Sequence, residues 1–213
     1  MLRVFFSALA LTVAITSTFA HASTWDIDPA HTSVQFAVRH LMVSKVRGNF
    51  SKVTGVVQVD EQDLSRSSVE ATIDATTLDT GVAKRDEHLQ GPDFFDVAQY
   101  PTLTFKSKKV EQGGEGKFQV MGDLTLHGVT KEVVLNVEGS PTPVKDPRGT
   151  IKMGGQATTT INRKDFGITW NAPLEAGGVV VGEEVEIIID VELNKKAESA
   201  APLLNKAIAQ GKE

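Results

Sequence analysis

The sequence contains no cysteine, which removes thiol nucleophiles, thiolate metal ligands and disulfide staples together. Aromatic residues are sparse, at 6% of the chain, with a single tyrosine and two tryptophans. Positive charge is in deficit: 22 lysines and arginines face 27 carboxylates, for a formal net charge of −5. Such a chain, with its lysines dispersed, argues against nucleic acid as a partner and offers no basic patch for anionic lipid headgroups. No Gly-x-Ser-x-Gly, His-Glu-x-x-His or phosphate-cradling glycine loop is present, and no nucleophile–base pair stands out. Dispersed carboxylates could pair in space, but nothing in the sequence selects two of them.

Long apolar runs are also missing, apart from one at the start. Arg3 precedes an apolar stretch from Val4 to Phe19, and Ala20-His21-Ala22 follows as a small-x-small cleavage site. The run is short for a bilayer span, which needs about 20 apolar residues. It reads as a signal peptide over 1–22, cleaved after Ala22, and places the mature protein in the periplasm. The remaining length suits one domain over 23–194, followed by an Ala- and Lys-rich tail over 195–213 that frays or forms a short surface helix.

What is abundant is period-two alternation. Val34, Phe36 and Val38 alternate with Gln35, Ala37 and Arg39, and the same face continues to His40. Val185, Ile187, Ile189, Val191 and Leu193 do the same near the end. Alternation of this kind marks strands with one wet and one buried face, as in antiparallel sheets. Eight such segments are predicted, near 33–40, 46–60, 67–77, 102–111, 116–126, 130–139, 150–163 and 183–194. Thr80 to Gln90 breaks the pattern and predicts a short helix capped by Asp79 or Thr80. Leu41 to Val46 is a second candidate helical turn.

An all-β chain of eight antiparallel strands has two solutions, a closed barrel or a sandwich. Glycines inside strands (Gly48, Gly55, Gly122, Gly154, Gly155) favour the strongly coiled strands of a barrel. An eight-stranded barrel either fills its interior or holds one small ligand.

Four blocks then carry a resemblance. Trp25-Asp26-Ile27-Asp28-Pro29-Ala30-His31-Thr32-Ser33, with Phe36-Ala37-Val38-Arg39-His40 and Val46-Arg47-Gly48-Asn49-Phe50, resembles the opening of the YceI-like family. Arg85-Asp86-Glu87-His88-Leu89, with Asp93-Phe94-Phe95-Asp96 and Tyr100-Pro101, is similar to its central signature. Gly122 to Thr130 and Asn162 to Ile168 are similar to its later blocks. The resemblance implies a lipocalin-like, eight-stranded antiparallel β-barrel, exported, non-catalytic and commonly homodimeric, that binds polyisoprenoid lipids such as quinones or prenyl phosphates. No other cofactor and no stable membrane insertion are implied.

Under that resemblance the inward faces become the ligand surface: Phe36, Val38, Ile73, Phe105 and Phe118, with Leu103, Val120, Leu135, Ile187 and Ile189. His40 continues such a face, and a polar group there must be hydrogen-bonded or meet the ligand. Arg85 and His88, just before Phe94 and Phe95, form either a clamp for a polar head or an Arg–Asp network pinning a helical lid plugged by the phenylalanines. Arg163 points either into the barrel end or into a turn that Asp165 closes and Gly167 completes with positive φ. Phe166 and Trp170 are candidate ligand contacts beside it, Trp170 lining or plugging the mouth. His31, His40, His88 and His127 match no local metal-ligand spacing. Two further readings compete with a carrier: an interaction protein with a filled barrel, and an enzyme acting on an isoprenoid lipid.

Overall fold

The computed structural model describes residues 22–175 and 177–197. The predicted signal peptide over 1–22, apart from Ala22, and the predicted tail beyond residue 197 lie outside the described residues. The strands, in chain order, are β1 (Ala22–Ile27), β2 (Ser33–His40), β3 (Ser44–Phe50), β4 (Val53–Asp60), β5 (Ser68–Asp74), β6 (Leu78–Asp79), β7 (Thr102–Gly114), β8 (Lys117–Leu126), β9 (Val129–Lys145), β10 (Ile151–Asn162) and β11 (Val181–Lys195). One helix, α1 (Ala83–Gln90), follows β6.

Every pairing is antiparallel, and the order closes on itself. β1 and β2 act as one interrupted strand, because β11 pairs with both: Ile27 faces Leu193, and Val34 faces Ile189. β3 and β4 are a second interrupted strand, bonded to β2 and β1 respectively. With β5, β7, β8, β9, β10 and β11 these make a closed eight-stranded meander, the barrel rather than the sandwich. Closure satisfies the backbone donors and acceptors that a sandwich would leave on its edges.

One end, here called upper, carries the β2–β3 turn, residues 75–101, His127-Gly128 and residues 163–180. There β5 stops at Asp74 and the short β6 crosses to pair with β3, Phe50 facing Leu78. Residues 80–101, including α1, therefore fill the gap between β3 and β7. Among the described residues no helix is long and apolar enough to cross a membrane.

Several sequence expectations need correction. The segment near 46–60 is two strands broken at Ser51-Lys52, and β1 was not among the predicted strands at all. Its three inward residues, including Trp25 and Ile27, are too few to establish a period before Asp28-Pro29 interrupts it. Leu41 to Val46 is no helix. Leu41 and Met42 form the centre of a hairpin turn with φ of 50° and 62°, and Val43 N–H donates to the His40 carbonyl. Left-handed backbone costs a side-chain-bearing residue roughly 1–2 kcal/mol. Neither Asp79 nor Thr80 caps α1: its N-cap is Val82, without a side-chain bond. Asp86, inside the helix, instead reaches back to accept from the Thr80 N–H and hydroxyl.

Two local devices hold the barrel's shape. At Gly122 a β-carbon would stand 2.5 Å from the Lys106 carbonyl oxygen and 2.6 Å from Phe105 Cζ, beside the bulge between Ser107 and Lys109. The strand bends there because nothing fills that space. At the β1–β2 break, Lys152 Nζ lies 3.0 Å from Asp28 Oδ2, 2.6 Å from Glu192 Oε1 and 2.7 Å from Asn194 Oδ1. His31 Nδ1 adds a contact to Asp28 at 3.1 Å. This half-buried network ties the kink to β10 and β11, and it holds the buried Asp28 carboxyl well below the usual carboxylate range, first through His31 and then through Lys152.

Two predictions come from these devices. Gly122→Ala should destabilise the barrel by about 1–3 kcal/mol, read as a lower urea midpoint with unchanged slope. The folded Asp28 carboxyl has a depressed pKa, so its contribution is present above about pH 4 and is lost as pH falls below it. Asp28→Asn should lower stability at neutral pH and flatten the acid limb of the stability–pH curve; parallel wild-type and variant curves would refute this linkage.

Candidate functional site

The inward faces of the strands do not meet. They surround an elongated cavity of about 540 Å³ running inside the barrel, within the ~300–1,000 Å³ of small-molecule sites. All ten strand residues predicted to face inward line it: Phe36, Val38, Ile73, Leu103, Phe105, Phe118, Val120, Leu135, Ile187 and Ile189. Strand alternation alone places them there. Residues that the sequence reading did not assign to the ligand surface complete the wall, among them Ile27 of β1, Phe50 of β3 and Val57 of β4. Their signal was present in the same alternation, but β1 and the β3–β4 break hid its phase.

Aromatic residues gather at the upper end in two groups. Phe36, Phe50 and Phe95 meet with ring centroids 5.4–6.3 Å apart. His88, Phe94 and Trp170 form a second group, each ring 5.0–5.3 Å from the next. Phe94 and Phe95 leave α1 in the following turn, where Phe95 N–H donates to the Leu89 carbonyl. His88 Nε2 also approaches Asp93 at 3.3 Å. The segment after β6 thus lays a ring-lined cover across the gap between β3 and β7.

Charge in the lining is one-sided. Arg39, Arg85 and Arg163 line the cavity with His40 and His88, all from upper-end segments, and among the described residues no carboxylate does. Arg163 is 4% exposed. Its guanidinium donates to the carbonyls of Gly182 and Ile168, both at 2.8 Å, and to Val181 at 3.3 Å. Burial pushes its pKa down, yet a guanidinium remains protonated in a protein. The side chain therefore both fixes the 163–182 segment and leaves a cation at the cavity wall. Arg85 is tied to Thr80, through Nε to the hydroxyl at 2.7 Å and Nη2 to the carbonyl at 2.8 Å. The expected Arg–Asp network thus runs through Thr80, which Asp86 also holds, rather than by a direct ion pair. His40 is half-buried and has no hydrogen-bonded side-chain partner among the described residues, so it is free to meet a guest.

Two expectations at the 163–167 turn are corrected. Asn162 Oδ1, not Asp165, closes it by accepting from Lys164 N–H; Gly167 does supply the positive φ, at 80°. Phe166 is buried but does not reach the cavity. It shares Arg163's inward side, as the three-residue period of a 3₁₀ turn requires, and packs inside the wall instead. The cavity surface there belongs to Arg163, Ile168 and Trp170.

The histidines do not form a common site. His127 Nδ1 lies 3.3 Å from the Phe166 carbonyl, with its ring 4.9 Å from that of Tyr100. Asp28, His31 and Glu192 present ligand-type atoms within 4.8 Å of one another, but Lys152 Nζ already sits against both carboxylates. That cluster carries its own cation.

A YceI-like domain model matches residues 25–193. A UPF0312 protein of Vibrio cholerae is 41% identical over 164 residues, 76% of this chain and 86% of that one. The crystal structure of a Campylobacter jejuni YCEI protein superposes with a TM-score of 0.62 at 32% identity, covering 74% of this chain and 90% of that one. A polyisoprenoid binding domain from Saccharophagus degradans, implicated in plant cell wall breakdown, shares the fold, with a TM-score of 0.58 at 16% identity over 81% of this chain and 98% of that one.

The roles of Arg163 and His40 separate by stability. Arg163→Met takes the guanidinium donors from the Gly182 and Ile168 carbonyls, while the Val181 carbonyl keeps the Asn171 amide, and should cost about 2 kcal/mol or more. His40→Ala breaks no hydrogen bond and should shift stability by no more than about 0.5 kcal/mol. Urea denaturation of both variants checks this; equal losses would show His40 to be structural.

Proposed function

The chain belongs to the YceI-like family, and from that premise we propose that it binds and carries an amphiphile with a long apolar chain, of the isoprenoid class, and performs no chemistry on it. The observation that carries this reading is the cavity itself, apolar along the barrel and cationic only at its upper end. Each 100 Å² of hydrocarbon removed from water contributes about 2.5 kcal/mol, so an apolar chain needs few polar contacts. The bland alternative, a barrel filled by its own side chains, is disfavoured by an interior of about 540 Å³.

The upper end suits a polar or anionic head. Three arginines and two histidines with no carboxylate among them favour oxygen acceptors such as a quinone carbonyl or a phosphate. Arg85 has its Nη1 uncommitted, and His40 is free. An enzymatic role would call for a nucleophile beside a general base; among the described residues the lining holds two imidazoles, His40 and His88, but no carboxylate or thiol, and no hydrogen bond joins either imidazole to a lining hydroxyl. The polyisoprenoid-binding domain of S. degradans is a precedent in fold for this use of the barrel. The leader-like segment over 1–22 supports export, and the periplasm is the proposed site of action.

Native mass spectrometry of protein purified from the periplasm, followed by organic extraction, tests the proposal. A stoichiometric isoprenoid is the expected result; an apo mass unchanged after incubation with quinones and prenyl phosphates would overturn it. Phe36→Asp would place a carboxylate in the apolar wall and should weaken ligand binding by at least about 100-fold. Arg85→Ala should weaken only ligands that carry a polar head. A folded Phe36→Asp protein with unchanged uptake would put the ligand elsewhere.

A further inference from the structure

The β2–β3 turn is unlike every other described turn. Leu41, Met42 and Val43 are 39%, 54% and 80% exposed, three apolar residues in succession at a hairpin tip. The other exposed large apolar residues, such as Val134 and Ile188, are not consecutive. The backbone is equally unfavourable, since φ is positive at both Leu41 and Met42. Asn-Gly is the pair that such a turn prefers. Side chains and backbone at this tip both run against stability and solubility in water, and strain of this kind collects at functional positions.

The tip is nevertheless held in place. Leu41 N–H donates to the Val180 carbonyl at 2.8 Å, and Met42 Cγ lies 3.3 Å from where a β-carbon on Gly178 would stand. It therefore projects from the rim of the cavity's upper end against the 172–180 segment. Below it, hairpin pairing brings Arg39 opposite Lys45 and Arg47 opposite Ala37. These three cations, scattered in a net acidic sequence, surround one carboxylate, Glu186. Lys45 binds it at 2.5 Å, while Arg39 and Arg47 reach it only through longer-range attraction. Neither guanidinium forms a direct ion pair among the described residues, Arg47 only sharing a surface recess with Asp79, and both stand beside an exposed apolar tip. That combination is complementary to the surface of an anionic bilayer, with phosphates outside and hydrocarbon just below.

We propose that Leu41-Met42-Val43 is a membrane-docking finger, inserting into the interfacial layer while Arg39 and Arg47 engage lipid phosphates. Docking sets the cavity's upper end on the bilayer, so that an apolar chain passes between membrane and barrel without crossing water. The transfer step rests on the cavity reading above; the docking step does not.

Flotation of the full mature protein with vesicles made of equal parts phosphatidylcholine and phosphatidylglycerol tests docking. Wild-type protein should float with these vesicles, should release as salt rises, and should bind pure phosphatidylcholine vesicles more weakly. The double substitution L41N/M42G gives the turn its preferred residues, so it should raise the melting temperature by about a few degrees while reducing vesicle binding at least about tenfold, the order expected for withdrawing two apolar side chains. Arg39→Gln with Arg47→Gln should remove the preference for the anionic lipid. Docking is overturned if wild-type protein stays with the soluble fraction or if L41N/M42G floats as well as wild type. It is also overturned if light scattering shows a dimer that L41N/M42G converts to monomer, which would make the tip a contact between two copies of the chain. Uptake of a long-chain isoprenoid quinone from the same vesicles is measured alongside. Normal flotation without uptake supports docking and counts against the cavity reading, whereas uptake that persists at wild-type rate in L41N/M42G counts against docking.

Discussion

The barrel depends on the divided allegiance of β11. One edge of this strand runs beside β10 along nearly its whole length, while the other edge bonds β2 at its start and β1 at its end. Without that second edge the eight strands are an open sheet with two unpaired margins, and the inward side chains surround nothing. The kink between β1 and β2 lets one strand follow the curvature of the wall, and the Asp28–Lys152–Glu192 network fixes the angle of that kink. Closure encloses the interior, and in this barrel the inward side chains leave a space of about 540 Å³ rather than filling it.

Within that frame the two ends of the barrel differ in kind. The lower end is finished by tight hairpins, such as the Gly114–Lys117 connection. The upper end carries the long connections, and all the charged groups of the cavity lining reside there. Arg163 shows how a fold places a cation where none should be stable. Backbone carbonyls of the segment it organises stand in for a counter-ion, so the charge remains available to the interior. A carboxylate partner would have held the side chain equally well and neutralised the mouth.

Most of the wall was legible in the sequence, because a strand's inward face follows from alternation alone. Phe36, Phe105, Ile187 and their neighbours needed only the period of two. The misreadings fall where tertiary pairing overrides the local pattern. β1 is short and gains its register from β4 and β11, while the break at Ser51-Lys52 carries no turn residue strong enough to be read. Leu41-Met42 reads as a helical turn because nothing in an apolar pair announces left-handed backbone. Phe166 was misplaced since a 3₁₀ turn sets which residues point inward but not how deep each one reaches. The cluster of Arg39, Lys45 and Arg47 about Glu186 is invisible in net charge, as β11 lies some 140 residues away along the chain.

The meander has a temporal side. From β4 to β11 each barrel strand pairs with the next along the chain, so this part can assemble by successive local hairpins at modest loop-closure entropy. The exceptions are the contacts of β11 with β1 and β2, which join the first and last strands. A chain emerging from its N-terminus can form much of the sheet, but it cannot seal the ring until its final strand has emerged. Before that moment both margins are exposed and the apolar face is wet, a state that favours engagement by chaperones over folding. The position of the closing strand thus acts as a completeness check: a truncated chain never acquires an interior.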